Sequence, residues 1–177
     1  MVHDPARPAA GSGASVPASK GAQYSALRRE LVALLDGESD PLANAANAVA
    51  AIYHGLPALN WAGLYLLRAG TLVLGPFQGR PACVRIPLGR GVCGSAAAAG
   101  RSLLVADVDA FPGHIACDAA SRSELVVPIR RGARVLGVLD LDSPQPGRFD
   151  AADQAGCEGL AALLVGPVTG LLGEPPA

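Results

Sequence analysis

Residues 124–142 read ELVVPIRRGARVLGVLDLD. Two apolar runs, 124–129 and 135–141, flank Arg131-Gly132, a dipeptide suited to a hairpin turn. Side chains alternate across a strand, so residues two apart share a face. Leu125, Val127 and Ile129 therefore share one face, with Glu124 opposite. In the second run Leu139 and Leu141 point one way, and Val138, Asp140 and Asp142 point the other. Such a hairpin belongs in an antiparallel sheet whose leucine and valine face is covered.

Working outward, residues 60–67 read as another strand, with a turn at Ala69-Gly70 and a hairpin partner at 71–74. Residues 75–81 are rich in Gly and Pro and read as a loop. Short strands follow at 84–86 and 103–105, with an Ala-rich helix at 91–99 between them. Residues 109–121 show no clear period and read as a loop. Two helices precede all of this. Tyr24, Leu27, Leu31, Leu34 and Leu35 recur at helical spacing, and Gly37 is placed to end that helix. Asp40-Pro41 supplies an N-cap and a proline at the first helical position. Leu42, Ala45, Ala46, Val49 and Ile52 then fall on one face. Asp150 caps a last helix, and Asp153 completes a variant capping box. Leu160, Leu163 and Leu164 form its apolar face.

Hairpins dominate, and no strand-helix-strand alternation appears. The expected fold class is α+β: an antiparallel β-sheet with helices packed on one face and active-site loops on the other. Residues 1–20 are poor in large apolar groups and read as a disordered extension. Residues 21–170 form one domain, and 171–177 a Gly/Pro-rich tail.

The composition agrees with a folded domain. Of 177 residues, 50% are hydrophobic and 16% charged, with a net charge of -1. The basic footprint of a nucleic-acid binder is absent. No apolar stretch is long enough for a transmembrane helix, and the N-terminus does not read as a signal peptide. The expected location is cytoplasmic, with no membrane or nucleic-acid partner.

The sheet face opposite the leucines carries chemistry. On the 60–67 strand Trp61, Gly63 and Tyr65 point one way. If that face is shared, it gathers Trp61, Tyr65, Glu124, Asp140 and Asp142. Carboxylates pair with an ammonium, and aromatic ring faces attract it. A thioether or sulfoxide packs well against an indole. The set suits a small cationic ligand that contains sulfur. The competing reading is a wet sheet face kept soluble by its acids. The chain's single Trp, on the same face, argues against it.

Three of the four cysteines stand in distinctive surroundings: Cys83 in PACVRI, Cys93 in GVCG and Cys117 in GHIACD. Cys117, in a loop near His114, is the candidate nucleophile, because a charged imidazole favours the thiolate. From sequence alone the reading favoured for His114 itself is a buried hydrogen-bonding residue without a catalytic part. Cys157 lies beside Ala and Gly in the last helix and reads as packing. A metal site from Cys83, Cys93, Cys117 and His114 is a rival. Separations of ten and twenty-four residues between the cysteines match no compact zinc pattern. No metal is expected.

Three runs carry a family resemblance: GPFQGRPACVRIPLGRGVCGSA (75–96), DVDAFPGHIACDAASRSELVVPI (107–129) and GVLDLDSPQPGRFD (137–150). Together they resemble the free methionine-(R)-sulfoxide reductases, which are single GAF-domain enzymes. The likeness spans roughly residues 23–165. It implies a GAF-like fold and a reductase acting on free methionine sulfoxide. It implies Cys117 as the catalytic thiol, Cys83 as its resolving partner and Cys93 in a supporting or alternative role. Trp61, Tyr65, Glu124, Asp140 and Asp142 match the family's substrate-binding positions. The resemblance further implies no bound cofactor, thioredoxin as external reductant, and a homodimer. A non-catalytic GAF sensor that binds a small ligand is the alternative.

Overall fold

The structure is a computed structural model that describes residues 19–115 and 118–174. Helix α1 (Lys20–Leu35) starts where Ser19 accepts a hydrogen bond from the Ala22 amide. Helix α2 (Pro41–Gly55) starts at Asp40, whose carboxylate accepts from the amides of Leu42 and Ala43. Strands β1 (Trp61–Arg68), β2 (Thr71–Gly79) and β3 (Arg85–Pro87) follow. Then come helix α3 (Gly91–Ala99) and strand β4 (Leu103–Val105). Strands β5 (Ser123–Arg131) and β6 (Arg134–Ser143) form the long hairpin. Helices α4 (Ala151–Leu163) and α5 (Val165–Leu171) close the chain.

The six strands form one antiparallel sheet in the order β3-β2-β1-β6-β5-β4. Its middle is therefore β1, β6 and β5. The alternation expected for residues 124–142 is the one observed. Leu125, Val127, Ile129, Leu139 and Leu141 share a core with Ala62, Leu64 and Leu66 of β1. Residues of α1, α2, α4 and α5 cover that core, among them Leu31, Ile52, Leu160 and Val168. Among the described residues, no helix is long and apolar enough to cross a membrane.

Several local expectations need correction. Residues 75–79 are strand, not loop. The β1–β2 register steps from Tyr65 opposite Leu74 to Gly63 opposite Phe77, so Gly75 and Pro76 fall in a bulge. A bulge is where a ladder tolerates a residue without an N–H. On α2 the buried face is Asn44, Ala45, Ala48, Val49 and Ile52, while Ala46 is exposed and Leu42 is 57% exposed. Alanines give little hydropathic contrast, so the edge of that stripe is hard to read. Asn44 is accommodated because its side-chain amide donates to the Glu38 carbonyl. Leu34 is likewise exposed on α1. The single closing helix is two, with Pro167 in the first turn of α5, where its missing N–H costs nothing. Helix α3 lies on the loop side of the sheet, where Val92, Cys93, Ala96 and Ala97 pack with Trp61, Tyr65, Val126 and Val138.

Asp153 ties α4 to α1. Its side chain is fully buried. It accepts from the Tyr24 hydroxyl (3.0 Å), Arg148 (3.0 Å), Lys20 (2.5 Å) and the Asp150 amide (2.9 Å). The Asp150 carboxylate accepts in return from the Asp153 amide, completing the capping box. Burial opposes ionisation of Asp153, yet the bonds from Lys20, the Asp150 amide, Arg148 and Tyr24 hold its carboxyl below the usual range.

Asp153→Ala strands three buried or half-buried donors, so a loss of about 3 kcal/mol is expected in urea unfolding at pH 7. A carboxyl depressed in the folded state stabilises above its unfolded pKa, and that contribution fades as pH falls through the folded one. The gap between wild type and Asp153→Ala should therefore narrow below about pH 4. A gap that widens with acid would refute this account.

Candidate active site

The loop side of the sheet carries a pocket at its centre. Register places its acids. Glu124 on β5 pairs with Asp142 on β6, and Asp142 pairs with Trp61 on β1. One row across three adjacent strands thus reads Glu124, Asp142, Trp61. In the next row toward the hairpin turn, Asp140 lies between Val126 and Gly63. All five residues expected on this face line the pocket, joined by Cys93, His114, Asp118 and Ser121.

Trp61 and Tyr65 form an aromatic wall on β1, and Phe77 of β2 backs it. Trp61 stacks between Tyr65 (5.9 Å between centroids, 26° between planes) and Phe77 (5.6 Å, 13°). Gly63 makes this possible, since a β-carbon there would collide with the indole and lie 2.6 Å from the Phe77 β-carbon. The two polar tips of the stack hold the neighbouring segment in place. The Trp61 indole N–H donates to the Arg80 carbonyl (3.1 Å). The Tyr65 hydroxyl donates to the Cys83 carbonyl (3.0 Å). Burial pushes the Tyr65 phenol well up, which keeps it a donor. Residues 80–83 are therefore laid over the aromatic wall by two of the pocket's own side chains.

The acids are nearly dry. Glu124 and Asp140 are each 6% exposed. Burial, reinforced by mutual repulsion, pushes Glu124 and Asp142 well above the usual carboxyl range. A hydrogen bond from Ser121 partly opposes this at Asp142. Burial pushes Asp140 up to about 6, against hydrogen bonds to Cys93 and Glu124. Three carboxyls this close cannot all ionise cheaply, so the set resists full ionisation. One Asp140 oxygen, Oδ1, has no hydrogen-bond partner among the described residues. A buried acceptor left open in this way is costly unless a ligand fills it.

Cys83 is disulfide-bonded. Cys93 and Cys157 are free and buried. Burial, then the neighbouring Asp140 and Glu124, pushes the Cys93 thiol well up, the opposite of an activated nucleophile. Its Sγ lies 3.9 Å from Glu124 Oε1. Cys157 is packing, as expected, against the Tyr24 hydroxyl at 3.5 Å. Cys117, the expected nucleophile, lies outside the described residues. His114 reaches the pocket with its Nε2 3.9 Å from Glu124 Oε2. The rival metal set of Cys83, Cys93, Cys117 and His114 loses a ligand, because a disulfide sulfur is not a thiolate.

The sequence reading missed a polar bracket on the loop before β5. The Asn60 amide donates to Asp118 Oδ2 (3.1 Å) and to the Ser121 hydroxyl (3.0 Å). Asp118 also accepts from the Ala120 amide, which with Asn60 and nearby Arg80 holds its carboxyl below the usual range. Asn60 immediately precedes β1, so this bracket fastens the 109–121 loop to the strand that carries Trp61. The one available signal was Asp118 itself, inside the FPGHIACD run.

Comparison with known proteins agrees with this geometry. The GAF domain profile matches residues 42–165. The chain is 58% identical to protein YtsP of Bacillus subtilis over 133 residues, covering 74% of this chain and 82% of that protein. It is 52% identical to the free methionine-R-sulfoxide reductase of Escherichia coli over 141 residues, covering 80% of this chain and 86% of that one. Among solved structures it superposes on the free methionine-R-sulfoxide reductase of Neisseria meningitidis, determined in complex with its substrate. That match has a TM-score of 0.82 at 42% identity and covers 86% of this chain and 92% of that chain. With the sheet, the acid row and the aromatic wall all in place, the chain belongs to the GAF-domain family, in its group of free methionine-R-sulfoxide reductases.

Proposed function

We propose that this chain reduces free L-methionine-(R)-S-oxide to L-methionine through cysteine chemistry, recycled in the cytoplasm by thioredoxin. The observation that carries the reading is the trio of buried Glu124 and Asp140 and half-buried Asp142 beside the Trp61 indole, with one Asp140 oxygen open among the described residues. An α-ammonium answers that need. It supplies positive charge and several N–H donors to carboxylates that have neither. A substrate inside a peptide lacks this charge, so the pocket selects the free amino acid. The indole packs against the methyl sulfoxide end. The name of the Escherichia coli relative and the substrate complex of the Neisseria protein support the same substrate.

The chemistry divides into three steps. The Cys117 thiolate attacks the sulfoxide sulfur, and the oxygen needs a proton as its bond to that sulfur weakens. Glu124, held protonated by burial, donates it. The oxygen passes as hydroxide from the methionine sulfur to the Cys117 sulfur, methionine leaves with the electron pair of the S–S bond, and Cys117 becomes a sulfenic acid. The Cys83 thiol then attacks that sulfur, closing a disulfide and releasing water. The balance is one sulfoxide and two thiols in, one thioether, one disulfide and one water out. Thioredoxin, a dithiol, reduces the disulfide by exchange. The disulfide-bonded state of Cys83, with Cys93 and Cys157 free, supports Cys83 as the resolving residue.

Turnover with a thioredoxin system tests the reading. Free methionine-R-sulfoxide should be consumed, and the S epimer and a peptide-bound sulfoxide should not. Failure on free sulfoxide sinks the assignment and leaves a ligand-binding GAF sensor. Cys117→Ser should fall to background. Cys83→Ser should release about one methionine per chain and then stop with thioredoxin alone. Glu124→Gln should lose roughly 100-fold in kcat, and wild-type kcat should fall as alkali deprotonates Glu124.

The trio also predicts a stability cost. A carboxyl whose folded pKa is raised favours folding below its unfolded pKa, and the penalty grows as pH rises to the folded value. Asp140→Asn should therefore raise Tm by roughly 3–8 °C at pH 8, with little change at pH 4, while abolishing turnover. A lower Tm at pH 8 would show that the charge is not a burden.

A further inference from the structure

Inside the same pocket, Cys93, Glu124 and Asp140 form a set of a different kind. Each offers one ligand atom, these atoms lie within 4.8 Å of one another, and all three residues are buried. They come from three elements: the first turn of α3, the start of β5 and the end of β6. Cys93 Sγ stands 3.9 Å from Glu124 Oε1. Two ligands on a tetrahedral zinc, one sulfur and one oxygen, are about 3.6 Å apart given the usual bond lengths. A shift of a few tenths of an ångström closes that gap. Asp140 is 6% exposed, and its Oδ1, aimed into the pocket, has no partner among the described residues. His114 Nε2, 3.9 Å from the second Glu124 oxygen, places an imidazole beside the set.

The chemistry of the donors narrows the ion. Mg²⁺ and Ca²⁺ take oxygen ligands and do not recruit a thiol. A thiolate with two carboxylates and a neighbouring imidazole suits a borderline ion of tetrahedral habit, above all Zn²⁺. Such an ion would displace the Cys93 proton and offset two of the three negative charges of the thiolate and the carboxylates. The thiol is available for this, since among the described residues it is the free cysteine lining the pocket.

We propose that Cys93, Glu124 and Asp140 bind Zn²⁺, and that the bound ion excludes the substrate ammonium from the same carboxylates, making this protein reversibly zinc-inhibited. Binding stands on the ligand geometry alone, whereas competition with substrate rests on the reductase reading. Cys93 thereby acquires a part that its non-nucleophilic setting otherwise lacks. It makes the pocket responsive to free metal without touching the redox pair.

The test uses the full chain, oxidised so that Cys83 stays in its disulfide, and stripped of metal by chelation. Co²⁺ is titrated in as a spectroscopic probe, and Zn²⁺ is then added to displace it. One Co²⁺ per chain is expected, with a thiolate-to-cobalt charge-transfer band that Zn²⁺ removes. Cys157→Ser should keep the band, and Cys93→Ser should lose it. Asp140→Asn should weaken binding by about 10–100-fold, with circular dichroism confirming that the variant is folded. Free methionine should raise the apparent Kd, and Zn²⁺ should inhibit turnover competitively with the sulfoxide. Absence of the band in wild type, its survival in Cys93→Ser, or undiminished binding by Asp140→Asn overturns the proposal. A protein that binds Co²⁺ as expected yet turns over no sulfoxide would keep the metal site and lose the reductase reading. The reverse result would do the opposite.

Discussion

Three carboxyl groups, two buried and one half-buried, crowd one face of a sheet, and among the described residues no lysine or arginine is paired with them. Most of the pocket's construction follows from that constraint. Carboxyls in a dry setting repel one another and resist ionisation, so they persist only where the surrounding frame is stiff. Here the frame is the centre of a six-stranded sheet, whose other face is sealed by leucines from β1, β5 and β6 and by four helices. The apolar face supplies the stability that the acid face consumes. Adjacent positions along β6 serve these opposite ends, Leu139 and Leu141 on one side, Asp140 and Asp142 on the other.

Closing the acid face uses small residues and aromatic tips. Helix α3 packs against the sheet through Val92, Ala96 and Ala97, which brings Cys93 against Glu124. The indole of Trp61 lies flat because Gly63 leaves room, and its N–H reaches the Arg80 carbonyl. The same aromatic stack thus shapes the ligand space and anchors the segment that carries Cys83. The backbone at Cys83 and the pocket wall at Tyr65 are linked by one 3.0 Å hydrogen bond. A change in either one bears on the other.

What the sequence disclosed follows the strength of its periodic signal. Strict alternation over residues 124–142 and 61–65 was enough to bring Trp61, Tyr65, Glu124, Asp140 and Asp142 to one face, because a strand has only two faces to choose from. The face they share was legible before any contact was known. Features without a period were not. The extension of β2 through Gly75-Pro76 was masked by residues that usually signal loops, and a bulge is invisible until its partner strand is placed. The buried stripe of α2 was blurred by alanine. The Asn60–Asp118–Ser121 bracket joins a strand terminus to a loop sixty residues on, and nothing local to either end announces it. The side on which α3 packs depends on the crossover from β3, which hydropathy alone does not encode.

Asp153 and Asp140 show how pairing separates a structural acid from a working one. Both lie in apolar stretches, both are buried, and by composition alone they are equivalent. Asp153 is met by Tyr24, Arg148, Lys20 and a backbone amide, and its carboxyl is held below the usual range. Its charge stabilises the fold and has nothing left to offer a ligand. Among the described residues Asp140 meets a thiol and another acid, keeps one oxygen open, and is pushed up to about 6. Its charge destabilises the empty fold and is relieved when a cation arrives. The electrostatic free energy withheld in folding is then partly returned on binding, so this share of the pocket's affinity and the cost of the empty site are linked. Any cation that reaches Asp140 collects it, whether the ammonium of an amino acid or a metal ion. Selectivity between them must come from the neighbours: the indole of Trp61 favours the former, and the thiol of Cys93 the latter.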